Sequence, residues 1–147
     1  MKLRVGDPWM AASEYSRSLK GLTLNLLVKE IKPALNFAQE VLAAEVAYSD
    51  PDFAVLSVNG AEWMLHADHA YDKHPMGDTV STDAARGAGI EIRLHGCDPD
   101  TAEQAARTGG YEVISPATDM GHGVREAFIR DQDGFVWVPD VLLPEAE

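Results

Sequence analysis

The chain repeats itself, and this repeat limits its architecture more than any other feature. Leu22, Leu24 and Leu26 alternate with Thr23 and Asn25, which predicts a strand over 22–28. Ile31, Ala34, Leu35, Ala38, Val41 and Leu42 then recur at helical spacing. Pro33 falls in that helix's first turn, where its missing N–H costs little. Strands follow at 45–48, 53–58 and 61–66, and the last two are joined by the hairpin signal Asn59-Gly60. After a polar stretch, KHPMGDTVSTDAARGAG, the same order returns. Ile90, Ile92 and Leu94 alternate with Glu91, Arg93 and His95. Asp98 and Pro99 open a second helix as cap and first residue, Gly109 and Gly110 end it, and strands are expected at 111–114, 123–130 and 135–138. Leu22 with Ile90, and Ile31 with Pro99, are both 68 apart, while Asn59-Gly60-x-x-Trp63 and Asp133-Gly134-x-x-Trp137 are 74 apart. A longer loop in the second half accounts for the shift. The chain is thus expected to be α+β, with two βαβββ modules. An N-terminal arm spans 1–20, the modules 21–72 and 89–140, a surface linker 73–88 and a C-terminal tail 141–147.

Composition narrows the partners. Of 147 residues, 24 are acidic and 12 basic, a formal charge of −12, which works against nucleic acid and anionic membrane surfaces. No apolar run approaches the ~20 residues needed to span a bilayer, and residues 1–20 have no signal-peptide core. The single cysteine, Cys97, excludes an internal disulfide and a CxxC site. A cytoplasmic protein is expected. The charge is uneven: residues 98–147 hold 11 acids and 3 bases, and residues 1–20 hold 2 acids and 4 bases.

The segments LNLLVKEIKPALNFAQEVLAAEV and WMLHADHAY in the first module, with GGYEVISPATDMGHGVREAFIRDQDGFVWV in the second, resemble the vicinal oxygen chelate superfamily of glyoxalases, bleomycin-resistance proteins and extradiol dioxygenases. The resemblance implies a U-shaped, half-open mixed-sheet barrel with helices on its convex face and a ligand on its concave face. It also implies a homodimer, with the pocket often completed across subunits. In the enzymes of that superfamily a divalent metal is held from the first and last strands of each module. Carried over here, the last-strand positions are Met64 and Val138, neither a ligand for a hard divalent ion. The first-strand positions are Thr23 and either Glu91 or Gly89. No metal and no other cofactor is therefore expected.

Alternation places Thr23, Asn25, Glu91, Arg93 and His95 on the concave face, with Leu22, Leu24, Ile90, Ile92 and Leu94 under the helices. The candidate ligand-binding residues are Asn25, Met64, His66, Glu91, Arg93 and Val138. Asn25 leads, because it both donates and accepts. Glu91 and Arg93 either pair with each other or meet a ligand. His66, Asp68, His69 and His74 cluster at a strand end, as surface histidines, as a hydrogen-bonding pocket edge or as a metal site. Trp63 and Trp137 are expected in the core and Cys97 as a small structural residue. Trp9 either anchors the arm over its own sheet or a second subunit, or lies in a loose tail. The resulting reading is a metal-free protein that sequesters a small aromatic or cationic compound. The alternative is a metal-dependent lyase, isomerase or dioxygenase with a rearranged set such as Glu91, His66 and His69.

Overall fold

In the computed structural model, which describes residues 1–71 and 73–146, each module is a strand, a helix and three strands. The arm carries a short helix, α1 (Ala12–Ser18). The first module follows as β1 (Asn25–Val28), α2 (Ile31–Leu42), β2 (Glu45–Ser49), β3 (Phe53–Val58) and β4 (Ala61–Ala67). A short helix α3 (Gly77–Val80) lies in the connection. The second module is β5 (Glu91–His95), α4 (Pro99–Thr108), β6 (Glu112–Asp119), β7 (Val124–Arg130) and β8 (Val136–Leu142). Asp72, the expected end of the first module, and Glu147 lie outside the described residues.

Each module folds into a mixed four-stranded sheet, in the orders β1-β4-β3-β2 and β5-β8-β7-β6, and the sheets do not close into a barrel. The helix between the first two strands returns the chain so that β1 runs parallel to β4, and β5 to β8. Local chemistry explains the boundaries. Asp98 accepts the Asp100 N–H at 3.0 Å and the Thr101 hydroxyl at 2.8 Å, with Pro99 as the first helical residue. Asn59 (φ 47°) and Gly60 (φ 81°) form the positive-φ turn that the twist of β3 and β4 favours. A side chain at Gly134 would meet the Arg86 backbone nitrogen at 2.7 Å.

One core serves both modules. Phe37 of α2, Trp63, Leu65 and Leu56 join Ile92, Leu94, Ala106, Ile129 and Trp137 in a single cluster. The Trp63 and Trp137 rings lie 5.2 Å apart, and Phe37 meets Tyr111 edge-on at 4.9 Å. Trp137 donates its indole N–H to Asp131 at 2.9 Å. Both tryptophans thus occupy the core, as alternation predicts.

Two apolar expectations fail. Leu22 is 88% exposed and Ile90 55% exposed, where both were expected under the helices. The ladder explains it: β1 pairing starts at Asn25 opposite Met64, with Leu24 only contributing a carbonyl to the Met64 N–H, and β5 pairing starts at Glu91. Residues before those points have no sheet to press against. Conversely, β6 runs to Asp119 and β8 to Leu142, past their expected ends, because each remains paired with β7.

The connection is pinned. Arg86, which is buried, donates to Asp68 with both terminal nitrogens (2.9 and 2.5 Å) and to the carbonyls of Leu27 and Val80, each at 2.8 Å. Its two terminal nitrogens are thus met, while its buried Nε has no partner among the described residues.

Candidate functional site

Met64 and His66 alternate away from the core residues Trp63 and Leu65, and Asn25 stands beside Met64 in the parallel ladder. Three of the expected binding residues are therefore brought together. The His66 Nδ1–H donates to Asn25 Oδ1 at 2.6 Å. Phe53, opposite His66 on β3, and Tyr71 flank the imidazole, with ring centroids 4.6 and 4.7 Å away. Burial pulls the His66 pKa down to about 4, with His74 and Lys2 adding to the fall and Asp50 opposing it. The ring is neutral at neutral pH.

The arm roofs this face. The Asp52 carboxylate accepts the backbone N–H groups of Leu3 (2.7 Å) and Arg4 (3.0 Å) and the Nε2 of His69 (2.8 Å). The N-terminal ammonium donates to the His69 carbonyl, and Arg4 reaches Asp50 at 3.4 Å. Trp9 then stacks on Tyr48 with centroids 5.5 Å apart and planes 11° apart. Tyr15 of α1 meets Phe53 edge-on at 5.9 Å and donates its hydroxyl to Glu62 at 2.8 Å. Between arm and sheet remains a cavity of about 420 Å³, lined by Trp9, Tyr15, Asn25, Phe53, Met64, His66 and Tyr71 among others. Of the alternatives open for Trp9, anchoring over its own sheet is the one observed.

Tyr15 and Tyr48 escape the sequence reading. Tyr48 is placed by a bulge: Val46 pairs with the core residue Leu56, but the register slips and Tyr48 pairs with Val55. Strict alternation would send it to the other face. Tyr15 belongs to a one-sided helix too short for a periodic signal, and its spacing of six from Trp9 is the only hint.

On the second module Arg93 sits among three carboxylates: Glu91 at 3.0 Å, Glu126, and Asp140 at 3.6 Å. Glu126 and Asp140 are 4% and 2% exposed. His95 Nδ1 lies 2.9 Å from Asp140, and His122 3.7 Å from Glu126. Of the two options for Glu91 and Arg93, internal pairing is present. Val138 stands beside Arg93 in the ladder and is buried. Among the described residues no hydrogen bond or ion pair joins this group to Asn25 or His66. The six expected binding residues thus form two sets, three on each sheet.

Cys97 is buried against the Leu42 carbonyl at 3.6 Å, and burial, reinforced by Asp98 and Asp140, pushes its thiol up to about 11. Such a thiol is a poor nucleophile.

The paired modules are also what known proteins display. A family model described as Glyoxalase/Bleomycin resistance protein/Dioxygenase superfamily matches residues 22–138. The chain belongs to that superfamily. A glyoxalase/bleomycin resistance protein/dioxygenase from Nocardioides is 18% identical, with a TM-score of 0.61 over 92% of this chain and 95% of that one. The fosfomycin resistance protein FosX from Listeria monocytogenes is 19% identical (TM-score 0.58, 84% and 93% covered). A lactoylglutathione lyase from Agrobacterium tumefaciens is 14% identical (TM-score 0.59, 83% and 92%). At these identities the likeness is one of fold. No curated protein matches the sequence.

The metal positions carried over above do not make a donor set for a divalent ion. Met64 and Val138 present a thioether and an isopropyl group, Thr23 precedes the β1 ladder, Gly89 has no side chain and Glu91 is bonded to Arg93. A thioether and an isopropyl group cannot replace carboxylate or imidazole ligands. The alternative set is not assembled either. His66 is bonded to Asn25, His69 to Asp52 and Glu91 to Arg93. No group of three or more His, Cys, Asp or Glu suited to a metal occurs among the described residues.

Proposed function

We propose that this superfamily member is a metal-free small-molecule-binding protein whose ligand is an aromatic compound held between the N-terminal arm and the first sheet. The observation that carries the reading is the arm-roofed cavity, with an Asn25–His66 polar pair set in aromatic and thioether walls. A few convergent polar groups in an otherwise apolar hollow of several hundred Å³ is how small-molecule sites are commonly built. The neutral imidazole and the lack of a fitting metal donor set favour capture over metal-assisted chemistry. A homodimer in a reducing cytoplasm accompanies this reading.

Native mass spectrometry of protein purified without denaturant, with metal analysis of the same sample, tests it. The expected result is a copurifying organic compound that Asn25→Ala releases, and no stoichiometric metal. Stoichiometric zinc, nickel, iron or manganese lost on Glu91→Ala or His66→Ala would overturn it in favour of a superfamily enzyme.

A further inference from the structure

The whole chain carries −12, and this favours a cationic ligand. Within the cavity the charge runs the other way. Among the described residues the acids beside it, Asp50, Asp52 and Glu62, are all spent, Glu62 by accepting the Tyr15 hydroxyl. Asp50 accepts the N–H groups of Asp52 (2.7 Å) and Phe53 (2.8 Å), the Tyr48 hydroxyl (2.7 Å) and the Arg4 guanidinium. Asp52 is 2% exposed and holds the arm and His69. Lys2 and Arg4 both line the cavity, and Lys2 has no carboxylate partner among the described residues. Among the described residues an incoming ligand therefore meets one unspent positive charge and no free acid.

The polar pair has a direction as well. With the Asn25 amide oxygen accepting, the His66 proton lies on Nδ1, so Nε2 presents a lone pair. That nitrogen has no hydrogen-bond partner among the described residues. Its ring is wedged between Phe53 and Tyr71, and this burial, with Lys2 nearby, resists protonating it. The group waits for an O–H or N–H donor, not for an acceptor.

We infer that the cavity selects planar aromatic anions that also carry a hydroxyl or N–H donor, and discriminates against aromatic cations. The anionic group faces Lys2, the donor faces His66 Nε2, and the ring lies among Trp9, Phe53 and Tyr71. This rests on the proposal that the arm-roofed cavity is the binding site.

Three matched probes test it: 4-hydroxybenzoate, 4-hydroxybenzamide and 4-hydroxybenzamidine, which differ in charge and little in shape. Quenching of Trp9 emission gives affinities, since Trp63 and Trp137 are buried in the core. The benzoate should bind tightest and the amidine weakest, about fivefold to tenfold apart. Lys2→Ala should collapse most of the benzoate–benzamide difference. His66→Phe should weaken both while keeping their order. Lys2 is exposed, so its variant folds even if His66→Phe does not. Equal or tighter amidine binding would overturn the selectivity and leave the binding cavity standing. Failure of all three probes to bind would overturn the cavity reading and the selectivity with it.

Discussion

Asp131 shows how much one buried side chain can hold. One of its oxygens accepts the N–H groups of Asp133, Gly134 and Phe135 at 2.9–3.0 Å, and the other accepts the Trp137 indole. It therefore shapes the β7–β8 turn and fixes the core tryptophan together. Asp131→Ala leaves four donors unmet and is expected to cost about 2–4 kcal/mol in urea unfolding. Burial pushes its pKa up to about 6 from 3.8, outweighing the N–H donors of Trp137 and Asp133 that pull it down. The folded chain thus binds this proton more tightly than the unfolded one. The stability it contributes is fully present below pH 3.8 and is lost as pH rises through about 6. The wild-type advantage over Asp131→Asn should then be larger near pH 5 than near pH 7.5, by about 1–2 kcal/mol. An advantage that does not change with pH would show that its proton is not linked to folding.

Among the elements, the arm decides what kind of cavity the protein has. The buried Asp52 carboxylate holds its first residues, through the Leu3 and Arg4 N–H groups. Burial acts to raise the Asp52 pKa, but the Leu3 and Arg4 N–H groups and His69 together hold it below 3.8. The clasp is therefore present above the ordinary carboxylate range and is lost as pH falls below it. Trp9 emission should stay constant from neutral pH down to about 4 and shift to the red below that. Asp52→Ala should bring the same shift at neutral pH and open the arm to cleavage at Arg4 and Arg17 under limited trypsin treatment. A Trp9 spectrum unmoved by Asp52→Ala would mean the Trp9–Tyr48 stack holds the arm without the clasp. The two modules, their helices and both Gly-x-x-Trp hairpins were legible in the sequence, because period and turn chemistry are local signals. The face of Asn25 was legible for the same reason, whereas Met64 came from the family resemblance and His66 from the run of histidines at a strand end. The roof was not. Tyr48 depends on a bulge, Tyr15 on a seven-residue helix, and the Asp52 clasp on contacts 48 and 49 residues apart. The Arg86 anchor is equally non-local, and its segment reads as plain polar linker.

For the molecule as a whole, the shared core lies between two sheets that do not close on each other, which leaves the second sheet's outer face unroofed. Ile90 and Ile114 are exposed there, beside Phe128 and Val136. No arm covers them, because the second module has no counterpart of residues 1–20. The homodimer proposed above would cover them. The arm carries a net +2, with Arg17 and Lys20 on its exposed side, and residues 98–147 carry a net −8. A second copy can set its arm-bearing first module against this partly apolar face, where Glu91, Glu126 and Asp140 outnumber Arg93, and the reverse contact follows by two-fold symmetry. Light scattering should therefore give twice the 16.0 kDa chain mass at low salt. Dissociation should become easier as salt rises, since exposed charges are screened within a ~10 Å Debye length at about 0.1 M. Ile114→Glu, which places another acid in the acidic face, should yield a monomer that keeps the wild-type melting transition of its core. A wild-type chain that stays monomeric at high concentration and low salt would refute the pairing, and ligand binding by that monomer would place the whole site within the arm and the first sheet.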